Sequence, residues 1–273
     1  MTCFTLNGKA VISQSLPSTR LSEVLRSEMG LSGTKIGCNA GDCGACSVLL
    51  DDEPICSCLT TVAQVGGAKV TSIEGLNAEN IISKLQESFL AHGAAQCGIC
   101  TPGMMVAAHA LLNENPTPNR CDVEDALGGV LCRCTGYGKI IEAVLAVNLD
   151  RAARPSPQVG CSVGIPIRHL DGQSKVDASL LYGDDAAPQD SVMVRVIRSP
   201  HHYASFKIGD KAVFLSKHPE IMAVLDASDI PGRNCFGVIP PFADQPVFAE
   251  ETALYRGDAV AAIVGEADVI TRF

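Results

Sequence analysis

The chain has 273 residues, a hydrophobic share of 47% and a formal net charge of −9, and this length allows two or three domains. The acidic balance argues against a nucleic-acid-binding surface, and no apolar run reaches the length of a membrane span. The chain has thirteen cysteines, an odd number, and its N-terminus lacks a signal-peptide pattern. Both features argue against a disulfide framework, and they predict a cytoplasmic location. Export together with a partner chain stays open.

The N-terminal part predicts a small sheet with one helix. Alternating side chains at 2–6, the Asn7-Gly8 turn signal and the apolar residues after it predict a β-hairpin. Apolar residues at helical spacing over 21–29 predict a helix. A cysteine-rich loop, a second hairpin and a closing strand at 70–73 come next. This order of elements is typical of a β-grasp ferredoxin.

The cysteine-rich loop has the spacing of an iron–sulfur site. Cys38, Cys43 and Cys46 form a C-x4-C-x2-C run, as in plant-type 2Fe–2S loops, and the glycines among them let the backbone fold back on itself. A fourth thiolate can come from Cys56 or Cys58, across the following hairpin. Structural zinc is the alternative, but zinc knuckles favour paired C-x2-C units, so the loop favours a 2Fe–2S cluster.

A helical section follows, with cysteines at two interruptions. Apolar residues at helical spacing predict four short helices within 76–150. Cys97 and Cys100 form a C-x2-C pair, and Cys132 and Cys134 form a C-x-C pair. The pairs predict a second four-cysteine site in a small bundle. A zinc ribbon is the alternative, but the iron–sulfur loop upstream favours a second 2Fe–2S cluster.

Three motifs of the first 150 residues resemble the iron–sulfur subunit of the molybdenum hydroxylases, the xanthine dehydrogenase and aldehyde oxidoreductase family: TKIGCNAGDCGACSVLL, QCGICTPGM and LCRCTGY. The resemblance implies that Cys58, in the family's SCL motif, is the fourth outer ligand in place of Cys56. It also implies that Gln96 and Cys134 contact the pterin of the molybdenum cofactor. The implied ligands are Cys38, Cys43, Cys46 and Cys58 for the outer cluster, and Cys97, Cys100, Cys132 and Cys134 for the inner cluster.

The remaining sequence predicts a linker and a third domain. Residues 151–163 are rich in proline and small residues and have little periodicity. Segments such as VMVRVIRSPHHYASF and YRGDAVAAIVGEA resemble the N-terminal hammerhead part of the family's molybdenum-binding subunit. The expected fold class is therefore α+β. Its parts are a β-grasp 2Fe–2S ferredoxin domain (1–75), a four-helix 2Fe–2S bundle (76–150), the linker (151–163) and an α/β hammerhead-like domain (164–273).

The resemblance implies an electron-transfer subunit of a molybdenum-dependent oxidoreductase. Electrons would pass from a molybdopterin centre through two 2Fe–2S clusters to a flavin, a cytochrome or another acceptor. No segment matches the family's large cofactor-binding lobes or a flavin region, so no catalytic residue is assigned. We expect most of the molybdopterin site on a molybdenum-binding partner chain, or on another part of a longer product.

The sequence leaves the substrate and two other functions open. A purine or N-heterocycle is favoured over an aldehyde by analogy alone. A free-standing 2Fe–2S electron carrier is one alternative function, although a carrier has no need of a hammerhead domain. A zinc-stabilised scaffold is the other alternative.

Overall fold

The computed structural model divides into two compact units, residues 1–185 (unit 1) and 186–273 (unit 2). Of the predicted linker, residues 151–157 lie outside the described residues, and the predicted domain boundaries stay predictions. The structure describes residues 1–77, 80–149, 158–165, 167–183, 185–188 and 190–273.

Unit 1 begins with a five-stranded sheet in the order β2-β1-β5-β3-β4. Strands β1 and β5 are parallel, and the other neighbours are antiparallel. The predicted turn is confirmed, because Asn7 (φ 50°) and Gly8 (φ 77°) both adopt the left-handed conformation that a tight hairpin requires. The strands are β1 (Thr2–Leu6), β2 (Lys9–Ser13), β3 (Ser47–Leu50), β4 (Glu53–Cys56) and β5 (Lys69–Thr71).

One helix packs on this sheet, as the sequence predicts. Helix α1 begins as Leu21–Glu23 and continues as a π-helical stretch, Val24–Glu28. Its apolar face meets the strands, and burying one such side chain contributes about 2 kcal/mol. The predicted strand at 70–73 ends at Thr71, because Ser72 occupies the N-cap position of a short helix, α2 (Ile73–Leu76). The core comprises Phe4, Leu6, Leu21, Val24, Leu25, Val48, Val62, Val65 and Val70.

Four helices then form the predicted bundle. Helix α4 is buried on nearly every side and contacts α2, α3, α5 and strand β3, which explains why its sequence is apolar all round. Asn119 starts α5 by accepting hydrogen bonds from the backbone N–H groups of Cys121 and Asp122. The helices are α3 (Asn80–His92), α4 (Thr101–Glu114), α5 (Arg120–Leu127) and α6 (Gly138–Leu145).

The segment before residue 185 packs on the bundle. Helix α7 (Gly172–Val176) contacts α3 and α4, and the side chains of Val176 and Ala178 are buried in the bundle core. The Asn77 amide also donates a 2.9 Å hydrogen bond to the carbonyl of Asp177. Residues that the sequence assigned to the start of the third domain, at 164, therefore belong to unit 1, because burial of these apolar side chains holds them there.

Unit 2 is a small mixed α/β unit. A three-stranded antiparallel sheet has the order β6-β10-β8 and a core of Ile221, Ile263 and Ile270. Strand β10 is largely buried, whereas only Ile221 of β8 is fully so. No helix in the described part of the chain is long and apolar enough to cross a bilayer. The elements are β6 (Met193–Arg198), β7 (Ala204–Ser205), α8 (Lys211–Lys217), β8 (Ile221–Leu225), β9 (Thr252–Ala253), β10 (Ala259–Gly265) and α9 (Ala267–Ile270).

Candidate iron–sulfur sites

The loop between α1 and β3 holds three of the predicted outer ligands. The backbone N–H groups of Ala40 and Cys43 lie 3.3 Å and 3.4 Å from the sulfur of Cys38. These donors, followed by the Cys43 thiol, lower the pKa of Cys38 to about 6, because a hydrogen bond to the charged form stabilises it. The loop thus favours a thiolate at its exposed end. Its backbone reverses at Gly41 and Gly44, both with positive φ.

The β3–β4 hairpin brings two further thiols to this loop. Its turn residues Asp51 and Asp52 have positive φ, and Ser47 pairs with Cys56 at the open end. Cys58 is buried, and burial, followed by the adjacent Cys46 thiol, raises its pKa to about 11. This high pKa describes a neutral thiol, and bound iron would displace its proton.

Cys56 lies in the same group. Burial, followed by the charge of Cys46, raises its pKa, and its sulfur lies 4.0 Å from the Gly41 carbonyl. The structure therefore brings five thiols together at the outer site. Both candidates for the fourth ligand adjoin Cys46, so the choice of Cys58 stays a prediction.

The first pair of the inner site lies directly before α4. Cys100 occupies the N-cap position of that helix, and Gly98 (φ 92°) turns the chain between the two cysteines. Burial, followed by the nearby Cys132 thiol, raises the pKa of Cys100. Cys97 is exposed, as is Gln96 before it.

The second inner pair lies on the loop between α5 and α6. Cys132 is buried, which opposes its ionisation, but the Thr135 hydroxyl at 3.1 Å and backbone N–H at 3.5 Å outweigh burial and lower its pKa. The N–H of Cys132 donates to the Tyr137 hydroxyl oxygen at 2.9 Å. Cys134 is exposed, and interaction with the Cys97 thiol raises its pKa.

The thiols of both sites associate in pairs. A 2Fe–2S cluster takes four thiolates, two on each iron. Both thiol sets fit that group, and at Gly37 a Cβ atom would lie 2.9 Å from the Cys43 sulfur, so only glycine leaves this space open. The pairs are Cys38 with Cys43, Cys46 with Cys58 or Cys56, Cys100 with Cys132, and Cys97 with Cys134.

A backbone hydrogen bond joins the two sites. The N–H of Leu131, which precedes Cys132, donates a 2.9 Å hydrogen bond to the carbonyl of Cys43. A Cβ atom on Gly44 would lie 2.1 Å from the carbonyl oxygen of Gly129, and one on Gly103 would lie 2.5 Å from that of Gly44. Gly44 and Gly103, from separate elements, therefore permit this approach. Their positions in the sequence do not show that they meet.

Comparison with known proteins identifies both cysteine regions. The family model described as "2Fe-2S iron-sulfur cluster binding domain" matches residues 4–64. The model described as "[2Fe-2S] binding domain" matches residues 72–145. Two 2Fe–2S domains are therefore present, as the sequence predicts.

Similar proteins extend this result to the rest of the chain. An aldehyde oxidoreductase of Megalodesulfovibrio gigas is 32% identical over 98% of this chain, which spans only 32% of that protein. A probable xanthine dehydrogenase subunit from Bacillus subtilis is 46% identical over 54% of this chain and 84% of its own length.

A solved structure agrees. The aldehyde oxidoreductase from Desulfovibrio desulfuricans matches 99% of this chain with a TM-score of 0.87 and 30% identity, and the chain spans 32% of that structure. The mixed α/β fold with a ferredoxin domain and a helical bundle is therefore confirmed. The chain belongs to the molybdenum hydroxylase family of xanthine dehydrogenases and aldehyde oxidoreductases.

Proposed function

We propose that this chain transfers electrons from a molybdopterin centre to an external acceptor, as part of a molybdenum-dependent oxidoreductase. The observation that carries the proposal is the Leu131–Cys43 hydrogen bond, since it joins the two thiol sites through backbone. When bound, each 2Fe–2S cluster accepts and releases one electron at a time. The protein contributes the thiolates, their N–H donors and the short connection between the sites.

The paired thiols described above are the proposed cluster ligands. Cys38, with its lowered pKa and exposed position, supports an outer site from which a flavin, a cytochrome or another carrier takes electrons. The exposure of Cys97 and Cys134 supports an open side at the inner site, where Gln96 and Cys134 would contact the pterin. We propose Cys38, Cys43, Cys46 and Cys58 as ligands of the outer cluster, and Cys97, Cys100, Cys132 and Cys134 as ligands of the inner cluster.

The molybdenum-binding part is proposed to be a separate chain or another region of the same product. Both arrangements have support, because one relative is named as a subunit, whereas in another this chain corresponds to about a third of a longer protein. A relative that matches unit 2 as well as unit 1 is an aldehyde oxidoreductase. We therefore favour an aldehyde as substrate over a purine or N-heterocycle. We also favour a cytoplasmic location, because the chain has many free cysteines.

Iron content and substrate-driven reduction test this function. The purified chain should contain about four iron atoms, because each 2Fe–2S cluster has two, and should show two distinct electron paramagnetic resonance (EPR) signals after dithionite reduction. Assembled with its molybdenum-binding part, the protein should show both signals when an aldehyde is added anaerobically. Zinc in place of iron, or clusters that stay oxidised with aldehyde, purine and N-heterocycle alike, would contradict the proposal.

A further inference from the structure

A tyrosine from outside both cysteine motifs contacts the inner loop. The Tyr182 hydroxyl donates a 2.6 Å hydrogen bond to the carbonyl of Cys97. The next residue, Gly98, has a φ of 92°, and a Cβ atom there would lie 2.5 Å from the Tyr182 oxygen. The phenol therefore packs directly on the peptide that joins Cys97 to Gly98. Only a glycine leaves room for it.

Ionic contacts hold Tyr182 in this position. The ammonium of Lys35 lies 4.9 Å from the Tyr182 ring centre and donates to the Leu180 carbonyl at 3.0 Å. Asp185 accepts from the Tyr182 N–H at 3.1 Å and pairs with both Lys35 and Arg26. The side chains of Lys35 and Asp185 are each only 4% exposed. Burial makes such a pair costly to break.

The cations that pair with Asp185 also contact the segment that leads into the outer cysteine loop. Lys35 lies three residues before Cys38, and Arg26 donates 3.0 Å hydrogen bonds to the carbonyls of Ser32 and Thr34. The Tyr182 hydroxyl, in turn, contacts the inner loop. Its bond draws electron density from the Cys97–Gly98 peptide and makes the N–H of that peptide a better donor. Stronger donors near a cluster favour its reduced, more negative form.

We propose that Tyr182 is a positioning residue that raises the reduction potential of the inner cluster through its hydrogen bond to Cys97, and that Lys35 and Asp185 hold it in place. This inference depends on the proposed function, since it requires a cluster at the inner site. A segment after both cysteine domains thereby adjusts how readily the inner cluster accepts an electron. The donor is a neutral phenol, so the effect requires no change of protonation at neutral pH.

An EPR-monitored redox titration of the loaded protein tests the inference with Tyr182→Phe. This substitution removes the hydroxyl and keeps the ring over Lys35. At a fixed potential, the oxidised-to-reduced ratio of the inner cluster should rise about three- to tenfold, equivalent to a potential lower by about 30 to 60 mV. The outer cluster should titrate as in the wild type. Cys43→Ala and Cys134→Ala assign the two signals by removing one each.

The control is Tyr203→Phe, the same change at a 72% exposed tyrosine of unit 2, and it should leave both potentials unchanged. An unchanged inner potential in Tyr182→Phe, or an equal shift of both clusters, would overturn the inference. Wild-type protein without iron–sulfur signals would instead overturn the proposed function.

Discussion

The N–H of Leu131 and the carbonyl of Cys43, 88 positions apart in the chain, are joined by a 2.9 Å hydrogen bond. Cys43 is a proposed ligand of one cluster, and Leu131 adjoins Cys132, a proposed ligand of the other. The link uses no side chain, so side-chain substitution cannot remove it directly. It depends on how closely the two backbones approach, and therefore on the glycines at the contact.

Gly44→Ala should separate the two sites. The new methyl group would meet the Gly129 carbonyl at 2.1 Å, at a position with φ 65°. Left-handed strain and overpacking together should lower the free energy of unfolding by about 3 kcal/mol. The measurement is the thermal unfolding midpoint of the loaded protein, together with the rate at which electrons pass between the clusters.

Gly67→Ala is the matched control for this change. Gly67 also has a positive φ, 79°, but no atom lies within 4 Å of the Cβ position. It should lose only about 1 kcal/mol, from backbone strain, and transfer electrons normally. Equal losses of stability in the two variants would show that the Gly44 contact contributes nothing.

Cys58→Ser should abolish the outer cluster, whereas Cys56→Ser should retain it. Both thiols interact with the Cys46 thiol, but Cys58 is buried, whereas Cys56 is only half-buried. Iron content should therefore fall to about two atoms in Cys58→Ser only. Loss of the outer EPR signal in Cys56→Ser alone would show that Cys56, and not Cys58, is the fourth ligand of the outer cluster.

Local patterns predicted much of this architecture. The hairpin at Asn7-Gly8, the four helices and the grouping of the cysteines follow from turn chemistry, helical periodicity and ligand spacing, which act over a few residues. The third domain was assigned from its first recognisable motif at 164. The structure places the compact-unit boundary after Asp185, because Val176 and Ala178 are buried with the bundle.

Contacts between distant segments leave no comparable local pattern in the sequence. The Gly44–Gly129 approach and the Tyr182–Cys97 hydrogen bond join positions 85 residues apart, and neither is determined by spacing or propensity. A tyrosine on a surface segment and a tyrosine on a cluster loop look alike in sequence. Such contacts depend on tertiary packing, because packing decides which backbone N–H and C=O groups still need a hydrogen-bond partner.

Cys134→Ser should slow electron delivery without weakening substrate binding. Cys134 is an exposed thiol of the inner pair, so its loss interrupts the proposed route and leaves the substrate pocket intact. In the enzyme assembled with its molybdenum-binding part, turnover with an external acceptor should fall about tenfold or more, while kcat/KM for the substrate stays unchanged. Cys121→Ser, at an exposed cysteine of α5, should behave as wild type. Unchanged turnover in Cys134→Ser would rule out this role.

Asp185→Asn should destabilise unit 1 by a constant amount from pH 8 to pH 5. Burial opposes ionisation of Asp185, but the Tyr182 N–H and the cations of Arg26 and Lys35 outweigh it and lower its pKa below the ordinary value. A lowered folded pKa adds stability that is fully present above the unfolded pKa and is lost as pH falls through the folded value. Breaking such a buried pair costs about 3 kcal/mol or more.

The difference in unfolding free energy between wild type and Asp185→Asn, measured by denaturant titration at each pH, checks this. It should shrink only below about pH 4, where the wild-type carboxyl also becomes neutral. Asp190→Asn, at an exposed carboxyl of unit 2, should match wild type across the range. If the Asp185 difference instead declines steadily between pH 8 and pH 5, another titrating group holds the segment, and the ion pair with Arg26 and Lys35 is not what secures Tyr182 against Cys97.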